Sequence, residues 1–212
     1  MGLDLDLLQQ RIVGVLIEKQ LAVPETYPLT EKALVAGCNQ KNNRDPEMEV
    51  EDYEVEGALR ALMEQSWVRA FDLAGGRTLR YEHRVVDQLA VEEADLALLA
   101  ELLLRGPQAP GALKTRAGRM HPFASPAEVE ARLEALAARP VPYVARLERR
   151  PRERAPRWTH LLGPVAIVPS EALPVASPAV PAPPVADWDV RAEALERRIE
   201  DLEARLDRLE GR

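Results

Sequence analysis

The chain has 212 residues, 46% of them hydrophobic and 30% charged, with a formal net charge of -7. That acidic balance excludes a strongly basic, indiscriminate nucleic-acid binder and leaves room only for a local basic patch. Aromatic residues are only 4%, so Leu, Val and Ala must build the core. The single cysteine, Cys38, rules out an intrachain disulfide and fits a reducing compartment. The acidic N-terminus lacks a signal-peptide pattern, and the longest apolar run, Leu96 to Leu104, is interrupted by Glu101 and is too short to span a bilayer. The expectation is a cytoplasmic protein with no membrane partner.

In chain order, Leu5, Leu8, Ile12 and Val15 recur at helical steps, which predicts a helix ending before Pro24 with one apolar face. Pro24 and Pro28 bracket an extended connector. Thr30 then reads as an N-cap, with Glu31 in the first turn, where the helix dipole favours an acid. Leu29 and Leu34 have the spacing of a hydrophobic staple. Leu34 and Cys38 share the inward face of this second helix, and Cys38 reads as a small buried hydrophobe. Asn39 to Pro46 is a polar loop. A third helix is expected from about Glu51 to Gln65, burying Val55, Leu59, Leu62 and Met63. Trp67 to Leu73 and Thr78 to His83 read as paired strands around a Gly75-Gly76 turn.

The same order then recurs. A helix starting near Glu92 carries Leu96, Leu99 and Leu103 with a second row at Leu98 and Leu102, so it is expected to be buried more completely than the first helix. Gly106 and Pro107 stop it. Pro110 opens a short helix with Leu113 and Ala117. Ser125, Pro126 and Glu128 form a capping-box start for a helix with Val129, Leu133 and Leu136. Tyr143 to Leu147 and Trp158 to Leu162 are strands around a longer loop, Glu148 to Arg157. The predicted fold class is mainly α with small β-hairpins, as two winged helices in tandem: residues 1-90 and 91-163.

Residues 164-187 are rich in Pro and Ala, which favours a stiff polyproline II tether. Residues 188-212 carry a heptad pattern with Leu195, Leu202 and Leu209 at d and Ile199 and Leu206 at a. Arg191, Arg198 and Arg205 fall at g, and Glu196, Glu203 and Glu210 at e, which favours a parallel, two-stranded coiled coil and hence a homodimer.

Several short motifs occur together: Glu18-Lys19-Gln20, Tyr27-Pro28-Leu29, Cys38-Asn39-Gln40-Lys41, Asn43-Arg44, Pro46, Leu102-Leu103-Leu104-Arg105-Gly106 and Pro110-Gly111. In this order they resemble the YceH-like family of bacterial proteins. The resemblance covers about Leu5 to Gly163, leaves the proline-rich and heptad segments outside, and implies tandem winged helices. It carries over no catalytic residues.

Winged helices commonly place the third helix in the major groove and a wing on the DNA backbone. Arg149, Arg150, Arg152, Arg154 and Arg157 in the second wing are therefore candidate phosphate contacts, with a smaller candidate surface at Lys41, Asn42, Asn43 and Arg44. The same Asn39 to Pro46 loop also reads as a structural turn held by its Asn side chains. The third helices argue against groove insertion, because Glu49, Glu51, Asp52, Glu54 and Glu56, and later Glu128 and Glu130, would repel phosphate. His83, His121 and His160 are far apart and form no metal or nucleophile motif, so neither a metal nor a cofactor nor an enzymatic activity is expected. Two readings follow: double-stranded DNA binding with transcriptional regulation, and a non-catalytic scaffold that docks a protein partner on its acidic third helices.

Overall fold

The computed structural model describes residues 4–72, 78–149, 153 and 155–164. The Gly75-Gly76 turn, the proline-rich segment and the heptad segment lie outside the described residues. Among the described residues the fold is mainly helical, with two small antiparallel sheets.

Helix α1 spans Leu7–Ala22. Asp6 caps it: its carboxylate accepts from the Gln9 amide at 2.8 Å, and the Gln9 side chain accepts from the Asp6 amide at 3.1 Å. This reciprocal cap satisfies donors that a helix start leaves open. The connector from Pro24 is not simply extended. It makes a short 3-10 turn at Pro24–Thr26 and then strand β1 at Leu29–Thr30. Thr30 caps α2 (Glu31–Cys38), its hydroxyl accepting from the Ala33 amide. Helix α3 spans Asp52–Glu64, and its Val55, Leu59 and Leu62 are buried. Strands β2 (Val68–Asp72) and β3 (Leu79–His83) pair antiparallel, with Val68 opposite His83. Strand β1 adds to the free edge of β3, giving the order β1-β3-β2.

A one-and-a-half-turn helix, α4 (Val85–Leu89), leads to α5 (Glu93–Arg105). Helix α6 is Pro110–Ala117, with Pro110 in its first turn. Helix α7 is Pro126–Ala137, capped by Ser125. Glu128 reaches back as the capping-box pattern predicts, but its carboxylate accepts from the Ala124 amide, one residue before the cap. Strands β4 (Val144–Arg146) and β5 (Trp158–His160) form the second sheet. Gln108 pairs with Trp158 through two backbone hydrogen bonds of 3.0 and 2.8 Å, so it stands on β5 as β1 stands on β3.

One hydrophobic core runs from Leu5 to Leu162. Its centre is the packing of α1 on α5. As its double apolar row predicts, α5 is the more completely buried of the two, with ten of 13 residues buried against ten of 16 in α1, although every α1 residue from Gln9 to Glu18 is buried. Period-3.6 reasoning found one face of α1, but α2, α3 and α5 cover the others. Close approach is possible because Gly14 faces Leu104, where an added Cβ would sit 2.9 Å from Leu104 Cγ. The last described turn closes on the first. The Leu5 amide donates to the Leu162 carbonyl at 2.9 Å, and Gln10 Nε2 donates to the carbonyls of Leu5 and Pro164.

Candidate functional site

The loop between α2 and α3 separates its four candidate phosphate contacts. Lys41 and Asn42 are exposed. Asn43 is half-buried at φ 60°, and its Oδ1 accepts from Arg105 Nη1 at 3.0 Å. Arg44 is only 5% exposed and turns inward, so it is corrected out of the surface set. Its guanidinium grips Glu18 through Nη2–Oε2 at 2.6 Å and Nη1–Oε1 at 3.2 Å, while Nε donates to the Gly37 carbonyl. Asn39 exchanges two 2.8 Å hydrogen bonds with the Val50 backbone, which ties the start of the loop to the approach of α3. The reading of a turn held by Asn side chains on nearby backbone describes Asn39, whereas Asn43 and Arg44 tie the loop to Arg105 and Glu18.

In the loop between β4 and β5, Arg149 is exposed, and Arg157 is half-buried with Nε 3.1 Å from Glu153. Arg150, Arg152 and Arg154 lie outside the described residues, as do Leu195, Ile199, Leu202, Leu206 and Leu209.

Helix α3 turns its charged side outward. The Glu54 carboxylate accepts from the Glu51 amide at 2.9 Å, so part of the acidic cluster caps the helix. Glu49, Asp52 and Glu56 remain exposed, with Glu56 paired to Arg60 at 3.2 Å. Among them stands Tyr53, 72% exposed. Sequence reading passed over Tyr53, although its offset from Val55 and Leu59 places it off the buried stripe.

The densest electrostatics lie under the surface where α1, α5 and the end of α6 meet. Glu18 receives Arg119 Nη2 at 2.6 Å in addition to Arg44. Burial by itself would raise the Glu18 carboxyl, but the hydrogen bonds and charges of Arg44 and Arg119 outweigh it and hold the group below the usual range. Glu101, fully buried on α5, has Arg119 Nη1 at 3.3 Å and Arg105 Nε at 3.7 Å. Here burial wins and the carboxyl is raised, despite its arginines. Arg11 is also buried and donates to the carbonyls of Cys38 and Pro46. The one signal of this network in the sequence was a charge inside an apolar helical run: Arg11 and Glu18 in the first, Glu101 in the other.

Cys38 is fully buried, and burial pushes its thiol up to about 12, against the pull of Arg11 and Arg44. It is a packing residue, not a poised thiolate. His83 and His160 are both buried at the ends of strands, and burial lowers each to about 4. Each Nδ1 accepts from the amide two residues ahead, Val85 and Leu162 respectively. His83 Nε2 meets Gln20 Oε1, which assigns the neutral Nε2–H tautomer. Among the described residues no group of three or more His, Cys, Asp or Glu is placed to hold a metal ion, and no helix is long and apolar enough to cross a membrane. An open groove of about 580 Å³ runs beside α2, with Lys19, Leu29, Ala33, Ala36 and Arg80 among its lining residues.

The family described as "Protein of unknown function, DUF480" matches residues 5–153. A UPF0502 protein of Geobacter sulfurreducens is 52% identical over 153 residues, covering 72% of this chain and 69% of that one. A UPF0502 protein of Citrobacter koseri is 41% identical over 215 residues, covering 99% and 97%. The UPF0502 protein YceH of Salmonella paratyphi B is 40% identical over 214 residues, with the same coverage. The last two extend the similarity through the proline-rich and heptad segments, beyond the Leu5 to Gly163 reach of the motifs. The chain belongs to the YceH-like, DUF480 family of bacterial proteins.

Proposed function

We propose that the chain is a cytoplasmic, non-catalytic docking protein made of two winged helices in tandem, and that it recognises a protein partner on the outer face of α3. The recurrence of three helices followed by a pair of strands supports the winged-helix reading of both halves. The observation that carries the docking reading is Tyr53, 72% exposed between Glu49, Asp52 and Glu56. An exposed tyrosine offers a large contact area at low entropic cost, and such residues dominate binding energy when a partner covers them. Charge complementarity specifies that partner as a protein surface with Lys or Arg around a shallow apolar pocket. The same acids oppose entry of α3 into a DNA groove.

A photo-crosslinking residue at position 53 of the full chain identifies the partner. The isolated pair is then titrated with the wild type and with Tyr53→Ala. Weakening of roughly 30-fold, the scale of a 2 kcal/mol hot spot, is expected. Unchanged affinity of Tyr53→Ala for that partner would overturn the reading.

DNA binding through the second wing is the other reading, favoured by the exposed Arg149 at the start of the arginine run. The heptad segment supports a homodimer in both cases. Deleting residues after Asp187 is expected to halve the mass measured by light scattering, and a monomeric full-length chain at micromolar concentration would remove the dimer.

A further inference from the structure

A basic seam forms where the α2–α3 loop meets the end of α5 and α6, at a place that neither the wing nor α3 reading uses. Arg105 at the end of α5 bonds Asn43 of the loop at 3.0 Å. Arg116 on α6 donates to Gln108 Oε1 at 2.5 Å, and Gln108 is held in turn by the Glu101 carbonyl. Arg119 bridges Glu18 and Glu101 and also donates to the Arg116 carbonyl at 2.8 Å. Arg105 and Arg119 both stand within 4 Å of the buried Glu101 carboxylate, and Arg116 acts on the same carboxyl through space. Lys41 is exposed two residues before Asn43 on the same loop.

The balance of this cluster is basic. Arg44, Arg105, Arg116 and Arg119 gather about Glu18 and Glu101, and the exposed Lys41 and Asp45 lie on the adjoining loop. Both glutamates are buried, whereas the Arg105 and Arg119 side chains keep 23% and 29% of their surface exposed and Arg116 is exposed. Of the about five N–H groups that each guanidinium carries, Arg105 commits one to Asn43 and buries its Nε beside Glu101, and Arg116 commits one to Gln108. Arginines fixed in this manner lose little freedom when they bind an anion, and their planar donors match phosphate oxygens.

We propose that this seam, formed by Lys41, Arg105, Arg116 and Arg119, binds a phosphate group, supplied by a nucleic-acid backbone or by a free phosphate compound. The protein is acidic as a whole, so the seam confines phosphate contact to one place, unlike a uniformly basic binder.

The test uses the full chain at low and physiological salt. Fluorescence anisotropy follows a labelled mixed-sequence DNA duplex, and calorimetry follows inorganic pyrophosphate. The variants are Lys41→Glu, Lys41→Glu with Arg116→Glu, and Arg149→Ala as a probe of the wing. The double seam variant is expected to lose tenfold or more in affinity, and Arg149→Ala to lose far less. Duplex binding lost in this way identifies a backbone as the source, and the salt slope is expected to fall by about 2. Pyrophosphate binding alone, lost in the same variants, identifies a small phosphate compound. Lys41 makes no hydrogen bond or ion pair among the described residues, so Lys41→Glu keeps the test valid should the double variant fail to fold. Absence of binding to both probes at low salt overturns the proposal. So does affinity that Lys41→Glu leaves unchanged, or that only Arg149→Ala reduces. None of these outcomes bears on Tyr53, whose partner is measured separately.

Discussion

The two halves of the molecule share a plan and differ in charge. In each, a helix buried all round supports a short helix and a third helix, and two antiparallel strands follow. In each, a short segment pairs with the last strand: Leu29–Thr30 on β3, Gln108 on β5. In each, that last strand ends in a buried histidine whose Nδ1 accepts from the amide two residues ahead. The outer surfaces do not repeat. The first half turns Tyr53 and acids outward on α3, whereas the seam at α5 and α6 gathers arginines over two buried glutamates. Core pattern is under the same packing constraint in both halves, while exposed side chains are free to diverge. Function is accordingly sought where the halves differ.

The largest expected effect breaks the junction between the halves. Glu18→Ala leaves Arg44 buried without its carboxylate and removes one of the two acids that hold Arg119. A loss of about 3–5 kcal/mol in urea denaturation is expected, because an uncompensated buried charge remains. A loss below about 1 kcal/mol would mean that the halves do not depend on this pair.

Acid titration asks whether the two histidines are equivalent. Each is lowered in the folded chain from 6.5 to about 4. Between those values the unfolded chain binds more protons, so the stabilisation is complete above about 6.5 and is lost as pH falls towards about 4. Each site contributes on the order of 3 kcal/mol to that loss. Glu101, raised by burial, acts with the opposite sign and recovers stability as it takes up its proton. His83→Gln and His160→Gln should therefore each flatten the stability-pH curve between pH 6.5 and 4 by a similar amount. Unequal flattening would break the repeat at the level of energetics.

A further effect concerns the closure of the second half onto the first. Gly163 has φ +150°, and an added Cβ would lie 2.0 Å from the Leu5 carbonyl oxygen. Gly163→Ala is expected to cost about 1–3 kcal/mol from the backbone conformation, with the clash added. Gly106 also has a positive φ, +68°, but its Cβ would meet nothing within 4 Å. A thermal melt in which Gly106→Ala loses as much as Gly163→Ala would show that the contact with Leu5 is not what ties the ends together.

Much of the fold was legible in sequence because its signals are local. Thr30, Ser125 and Pro110 mark helix starts by the hydrogen bonds that their own side chains or rings permit. Leu and Val spacing marks the buried stripes of α3, α5 and α7. Strand β1, the 3-10 turn and α4 were not legible, since a two-residue strand exists only because β3 offers it an edge. The candidate sites were less legible still. A basic residue reads the same in sequence whether it faces water, like Lys41, or a buried carboxylate, like Arg44.

The sequence by itself determined the order of elements, the composition of the core and the family, through periodicity, caps and short motifs. Only the tertiary structure decided that α1 is buried on every side, that Arg44 and Glu18 pair in the interior, and that Arg105, Arg116 and Arg119 surround one carboxylate. Those facts depend on which helices meet. Such contacts join residues far apart in the chain, 101 positions in the case of Arg119 and Glu18, and no local pattern encodes them.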